Sequence, residues 1–267
     1  MLSVFDVREV TFRYNRVVAL DGLSLAVSAG QRVALLGANG SGKSTLLRIL
    51  DGLAFPEKGS VVFCGEPLTE ERLEDPEFGY SFRRRVGLVF QNPDVQLFSP
   101  TVFDEIAFGP LQLQWPRDKV RAKVEEMLDF MKIAHLRDRS PHHLSTGEKK
   151  HVTLASVLVF DPEVLLLDEP TAALDPRSAS QMIDLLISLH GGTKTVVTTT
   201  HDLDIVEDIA DRCFVFETGR VVAAGTPSEI LGQSELLEQT NLVHAHRHMH
   251  ASGETHSHPH LHPHRHR

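Results

Sequence analysis

An α/β architecture, a parallel sheet interrupted by a mostly helical insert, is what the apolar pattern of this chain predicts. Short apolar runs at residues 61–64, 86–90, 164–167, 195–200 and 213–216 read as strands. Several of them lack polar alternation, as strands covered on both faces do. Between residues 102 and 158 the pattern changes. Val120, Val124, Leu128 and Met131 fall three or four apart, the spacing of a surface helix with one buried stripe.

The elements follow in order. Residues 4–14 alternate loosely and are rich in Val and Phe, as a half-buried strand is. Residues 31–36 form a second strand that runs straight into Gly37, and residues 44–50 read as a helix. Thr226, Pro227, Ser228 and Glu229 offer a capping box with Pro at the first helical position, so a short helix follows. From His244 onward there are ten histidines, two prolines and almost nothing apolar. No core forms from that composition, and a disordered His-rich tail is expected. The expected division is a domain over residues 1–240, with a helical insert at about 96–160, and a tail over 241–267.

At 267 residues and 41% hydrophobic, the chain can bury one sizeable core. No window approaches the roughly 18 uninterrupted apolar residues of a membrane helix. Asp6, Arg8 and Glu9 break up the N-terminus, so no secretory signal is expected and the cytosol is the expected compartment. Cys64 and Cys213 have no CxxC neighbour and are expected to be small core hydrophobes. The net charge is −9; without the three arginines and one glutamate of the tail, residues 1–243 carry 24 basic and 35 acidic side chains, or −11. Such a body repels phosphodiester polymers, so nucleic acid is not an expected partner.

Chemistry concentrates in two segments. Gly37, Ala38, Asn39, Gly40, Ser41, Gly42, Lys43 and Ser44 fit the pattern GxxxxGK[ST], between an apolar strand and a helix that continues through Thr45. Glycines let backbone N–H groups turn inward around an oxyanion, and the helix presents its positive end to the same charge. Lys43 then reaches the terminal phosphates, and the Ser44 hydroxyl joins a Mg2+ shell. Downstream, an apolar strand ends in Asp168 and Glu169. Asp168 is placed to hold Mg2+ through water, and Glu169 to polarise the attacking water as general base.

The segment Leu144-Ser145-Thr146-Gly147-Glu148, with Ser145 lying 23 residues before Asp168, completes a resemblance to the ATP-binding cassette (ABC) ATPases. The resemblance covers roughly residues 4–231. It implies a P-loop NTPase (RecA-like) core with a mixed sheet, an N-terminal antiparallel β portion and an inserted helical subdomain. It also implies ATP and Mg2+ as ligands and a second ATPase subunit, identical or a close paralogue, whose Ser145 and Gly147 close over the γ-phosphate. By the same resemblance Gln91 senses Mg2+ and the attacking water, Asp175 belongs to the loop that talks across the dimer, His201 contacts the γ-phosphate, and Tyr14 stacks on adenine. Where the family most often has LSGGQ, this chain has Thr146 and Glu148, and His151 replaces the usual arginine. Lys149 and Lys150 are expected to offset the Glu148 charge, and a low hydrolysis rate is consistent with these departures.

Residues 92–98, 101–110 and 145–150 resemble the energy-coupling-factor branch of importers. That branch implies a transmembrane coupling subunit, received in part by residues 91–110, a substrate-binding membrane subunit, and a peripheral place on the cytoplasmic face of the membrane. The His-x-His runs of the tail suit Ni2+, Co2+, Cu2+ or Zn2+, so tail and motifs agree on cobalt or nickel import. The alternatives are an importer for another small nutrient and a cytosolic nickel-insertion GTPase, for which the chain lacks an NKxD-type loop.

Overall fold

The computed structural model describes residues 3–189, 194–243, 245–249 and 255–259. It opens with two twelve-residue strands, β1 (Ser3–Tyr14) and β2 (Val17–Ser28), paired antiparallel. The turn between them uses Asn15 at φ +54, a left-handed position that Asn tolerates. β4 (Lys58–Phe63) pairs on the other side of β1, and β5 (Glu66–Pro67) follows it. This is the antiparallel portion, with strand order β2-β1-β4-β5.

The second sheet holds β3 (Arg32–Leu36), β6 (Val86–Val89), β7 (Val164–Asp168), β8 (Thr195–Thr200), β9 (Arg212–Glu217) and β10 (Arg220–Gly225), in the order β10-β9-β3-β8-β7-β6. All of its pairings are parallel except β10 on β9, so the sheet is mixed. The missing polar alternation has a direct cause. On β7, Val164 and Leu166 enter one apolar cluster while Leu165 and Leu167 enter another. On β3, Val33 and Leu35 face the first cluster, and Ala34 and Leu36 a third. Both faces are covered, so neither can be polar.

α1 (Lys43–Leu50) lies between the two sheets, burying Leu46, Leu47, Ile49 and Leu50. α2 (Glu70–Glu74) and α3 (Pro76–Arg85) precede β6; each is capped by a side chain, Thr69 and Asp75. Between β6 and β7 come α4 (Val102–Gln112), α5 (Arg117–Phe130) and α6 (Thr146–Leu158). Ile106, Val124, Leu128 and Leu154 pack these three together and against the lower face of β7. α7 (Pro176–Ser188), α8 (Val206–Ile209), α9 (Pro227–Leu231) and α10 (Ser234–Gln239) complete the helices; α9 carries the expected capping box. Among the described residues no helix is long and apolar enough to cross a membrane.

Within the tail, β11 (Ala245–Met249) and β12 (Thr255–Pro259) pair antiparallel, with His246 opposite His258 and His248 opposite His256. The disorder expected of the remaining tail falls outside the described residues.

One expectation is corrected. Cys213 is fully buried, but Cys64 is exposed. The strand ends at Phe63, and Cys64 (φ +49) and Gly65 (φ +88) form the tight turn into β5. A turn position carries its side chain outward.

Asp51, at the C-terminal end of α1, lines a cleft with Leu53, Leu73, Phe82 and Leu88. Burial pushes its carboxyl up to about 7, with Arg83 opposing the shift. Between about pH 4, the ordinary carboxylate range, and that raised value, the folded chain keeps a proton that the unfolded chain releases. Stability contributed here is therefore lost as pH rises through the window. Asp51→Asn is expected to raise Tm by about 2–4 °C at pH 8, roughly 1 kcal/mol for a chain of this size. The gain should shrink toward pH 4 when thermal melts are compared across pH.

Candidate active site

The parallel strands end on one edge of the sheet, and the loops leaving β3, β7 and β8 meet there. After β3 the chain turns through Gly37, Gly40 and Gly42, all at positive φ. A Cβ on Gly37 would lie 2.6 Å from Phe216 O and from Ser41 Oγ; one on Gly42 would lie 2.6 Å from Ala19 O. Only glycine lets this loop nestle against the backbone of β9 and β2. Ala38 is half-buried, Asn39 and Gly40 are exposed, and Thr45 is buried behind the loop at the start of α1.

Ser41 Oγ is buried and, alone among the buried side-chain N and O atoms of the described residues, has no protein partner. A loop that excludes Cβ atoms, carries an orphan hydroxyl and opens onto a helix N-terminus fits phosphate oxygens. Lys43 Nζ donates to Gly37 O at 2.6 Å and Ala38 O at 3.1 Å, and lies 3.9 Å from Glu169 Oε1. Burial lowers its pKa, against the pull of Glu169 and Asp168.

β7 delivers both acids. Asp168 Oδ1 accepts from Ser44 Oγ at 2.8 Å and from Thr199 Oγ1 at 2.7 Å. Paired hard oxygens of Ser44 and Asp168 suit Mg2+, which keeps part of its water shell and takes few protein ligands. Glu169, at φ +47, donates its N–H to Thr199 Oγ1 at 2.9 Å. Its carboxylate oxygens both lie 3.0 Å from His201 Nδ1. Glu169 is buried whereas His201 is 56% exposed, so the imidazole holds the carboxylate from the solvent side and keeps Nε2 for another partner.

The other expected residues are spread around this centre. Tyr14 is half-exposed at the end of β1; its hydroxyl accepts from Arg48 of α1 at 3.0 Å. Gln91 is exposed, two residues past the end of β6. Asp175 caps α7, accepting from Arg177 N, Ser178 N and Ser178 Oγ, and the Ser178 bonds hold its carboxyl below the usual range. Ser145 caps α6. Among the described residues neither Ser145 nor Gly147 hydrogen-bonds to residues 37–45.

The expected offset of Glu148 by its two lysines is not found. Glu148 accepts from Ser145 N and Oγ, both at 2.8 Å, and these bonds lower its pKa. Lys149 pairs with Asp94 instead, at 2.7 Å. Lys150 points inward to the carbonyls of Glu169, Pro170 and Ala172. Helical geometry is the reason: residues two apart do not share a face. Burial lowers the Lys150 pKa to about 8, opposed by Glu169 and Asp168. Thr199 and Lys150 are therefore site residues that sequence reading missed. The only local signal for Thr199 is the run of three threonines on a covered strand, hydroxyls that need partners.

Comparison with known proteins gives this geometry a context. Residues 20–172 match the family model described as ABC transporter. The nickel import ATP-binding protein NikO of Rhodobacter capsulatus is 52% identical over 246 residues, covering 91% of this chain and 97% of that one. The energy-coupling factor transporter ATP-binding protein EcfA of Methanothermobacter thermautotrophicus is 41% identical, over 90% of this chain and 76% of its own. Among solved structures, cbiO1 from Clostridium perfringens, part of the ABC transporter complex cbiONQ, superposes with a TM-score of 0.76 at 37% identity, covering 91% and 96% of the two chains. A dimeric ATP-binding cassette in a post-hydrolysis state with ADP and Pi gives 0.74 at 27%, over 84% and 98%.

Thr199→Val removes one bond to the Asp168 carboxylate and one acceptor of the Glu169 N–H. A bond to a charged group contributes about 1.5–3 kcal/mol. Maximal ATP hydrolysis should fall roughly ten- to hundredfold, while nucleotide affinity, read by equilibrium binding, changes little. A large loss of affinity with unchanged turnover would contradict this placement.

Proposed function

Because this chain belongs to the ABC transporter family, we propose that it is the ATP-hydrolysing subunit of an energy-coupling-factor importer for nickel or cobalt ions, working as a dimer on the cytoplasmic face of the membrane. The observation that carries the hydrolytic reading is the clamp on Glu169. Its carboxylate is held by His201 within 4 Å of Lys43, the lysine of the phosphate loop. The 52% identity to a nickel import protein over nearly the full length of both chains supports the cargo. The relationship to cbiO1 and EcfA supports membrane partners and a paired subunit.

The residues divide the work as follows. Backbone N–H groups of residues 37–45 and the N-terminus of α1 receive the β- and γ-phosphates, and Lys43 turns its ammonium to them. Ser44 and Asp168 would hold Mg2+, with Gln91 beside it; the ion supplies charge neutralisation on the phosphates. Glu169 takes a proton from water as the water oxygen attacks the γ-phosphorus in line, and the β–γ bridging oxygen leaves with ADP. His201 holds Glu169 through Nδ1 and presents Nε2 to the γ-phosphate. Tyr14, tied to Arg48, gives adenine an aromatic face. The partner copy's Ser145 and Gly147 close the site, and Asp175 fixes the start of α7 at the same seam.

Phe98 and Phe108 stack edge-on at 4.7 Å while remaining exposed, with exposed Val95 and Leu111 nearby in sequence. An apolar patch of this kind, on and just past residues 91–110, suits a helix of the membrane coupling subunit. The His-x-His runs support binding of Ni2+, Co2+ or Zn2+ by the tail.

Glu169→Gln is expected to cut hydrolysis by about 10²–10⁴-fold, the share of a positioned general base, and to accumulate an ATP-bound dimer visible by size-exclusion chromatography. Cells carrying the variant complex should lose nickel and cobalt uptake. Hydrolysis at the unaltered rate would remove Glu169 from its role. Deleting residues 244–267 should leave turnover unchanged and lower the number of Ni2+ ions bound in equilibrium dialysis; equal binding by the shortened chain would put the metal elsewhere.

A further inference from the structure

Lys150 lies inside the protein, 3% exposed, on the helix that Ser145 caps. Its ammonium donates to Glu169 O at 3.0 Å, Pro170 O at 2.9 Å and Ala172 O at 2.7 Å. An ammonium has three protons and accepts nothing, so every donor is spent on one short segment. That segment is costly to hold. Glu169 (φ +47) and Ala173 (φ +60) are both non-glycine residues in the left-handed region, a conformation that L side chains adopt only under constraint. Three carbonyl dipoles pointing at one spot also repel one another unless a cation sits among them.

The segment is the one that begins with the general base and runs into the cap of α7. A second contact joins the same elements. Gly147 packs so closely on Ser178 of α7 that an added Cβ would lie 3.0 Å from Ser178 Oγ. The helix bearing the Ser145 loop thus meets residues 169–178 through packing at Gly147 and through polar bonds at Lys150.

We propose that Lys150 is a positioning residue that ties the Ser145 helix to the Glu169 turn, so that closure of one subunit's Ser145 loop over its partner's nucleotide sets the general base in the subunit's own site. This rests on the dimeric reading above and adds a physical route by which the two sites fire together. Movement of α6 is transmitted through a rigid, fully bonded ammonium to the residues that fix the Glu169 backbone. Gln at this position offers two donors and no charge; Arg restores the charge and several donors.

The test uses the full-length chain with Mg-ATP. Lys150→Gln is expected to lower kcat at least tenfold and bring the Hill coefficient for ATP from about 2, the number of sites, to about 1, with Kd for Mg-ATP within twofold. Lys150→Arg should recover most of the cooperativity, and it carries the test if the Gln variant does not fold. In a Glu169→Gln background, Lys150→Gln should still give an ATP-dependent dimer. A dimer whose Hill coefficient and kcat are unmoved by Lys150→Gln, or altered only through thermal stability, overturns the proposal and leaves the dimer reading intact. A Glu169→Gln chain that stays monomeric with Mg-ATP overturns the dimer reading, and this proposal with it.

Discussion

Two carboxylates lie next to each other at the end of a covered strand, and the site is organised around keeping that charge in place. Asp168 and Glu169 are 7% and 5% exposed. Removing an unpaired carboxylate from water costs several kcal/mol, so a pair survives only if its oxygens are met by donors or cations. Ser44 and Thr199 supply hydroxyls to Asp168, and His201 supplies a ring nitrogen to Glu169. Lys43 and Lys150 approach from two sides. Burial depresses both ammonium pKa values against the attraction of the same two acids. The cluster is near neutrality inside the chain, yet poised toward an anionic ligand because Lys43 belongs to the loop whose glycines and orphan Ser41 hydroxyl fit phosphate oxygens.

Topology makes this meeting possible. β8 lies between β3 and β7, so the glycine loop and the acidic strand end are one strand apart. Register places Asp168 opposite Thr199, and the single Thr199 hydroxyl serves both acids, accepting from one backbone and donating to the other side chain. In parallel sheets every strand delivers its following loop to the same edge, which is why such edges gather ligand sites. The α4–α6 insert leaves the sheet between β6 and β7 and shares its apolar cluster with β7. The insert is therefore packed directly on the strand that carries the acids.

What could be read from the sequence was what is contiguous in it. The glycine loop, the acid-ended strand and the Ser145 cap each keep their chemistry within eight residues, and covered strands announce themselves by absent alternation. β2 escaped because Asp21 and Gly22 interrupt its pattern at a register shift against β1. α2 and α3 escaped because they are short and carry mostly charged faces. Thr199 is 31 residues from Asp168, and nothing local states that β7 and β8 are neighbours. Lys150 beside Lys149 reads as a second charge offsetting Glu148; only the rotation of α6 shows that one faces Asp94 and the other the Glu169 turn. Cys64 looked like the last residue of a strand and is the first of a turn.

The acidic residue in the Ser145 loop bears on whether this helix can still face a phosphate. The capping box consumes the N–H groups of Ser145 and Glu148, and the Lys149 N–H starts the helical ladder to Ser145 O. Thr146 and Gly147 occupy the first two helical positions, whose N–H groups have no intrahelical acceptor, and these remain aimed outward. Ser145 has one hydroxyl proton, now given to Glu148. It can turn that proton to an incoming oxyanion while its N–H keeps the Glu148 carboxylate in place. The cap need not open for the loop to close over phosphate. Glu148 thus departs from the family's usual glutamine by adding charge and giving up the side-chain amide donors, while the backbone N–H groups of Thr146 and Gly147 are kept. In the proposed dimer its cost is like-charge repulsion with the γ-phosphate, which would be felt only when two subunits come together and would act on the closing of the dimer rather than on the fold of either copy.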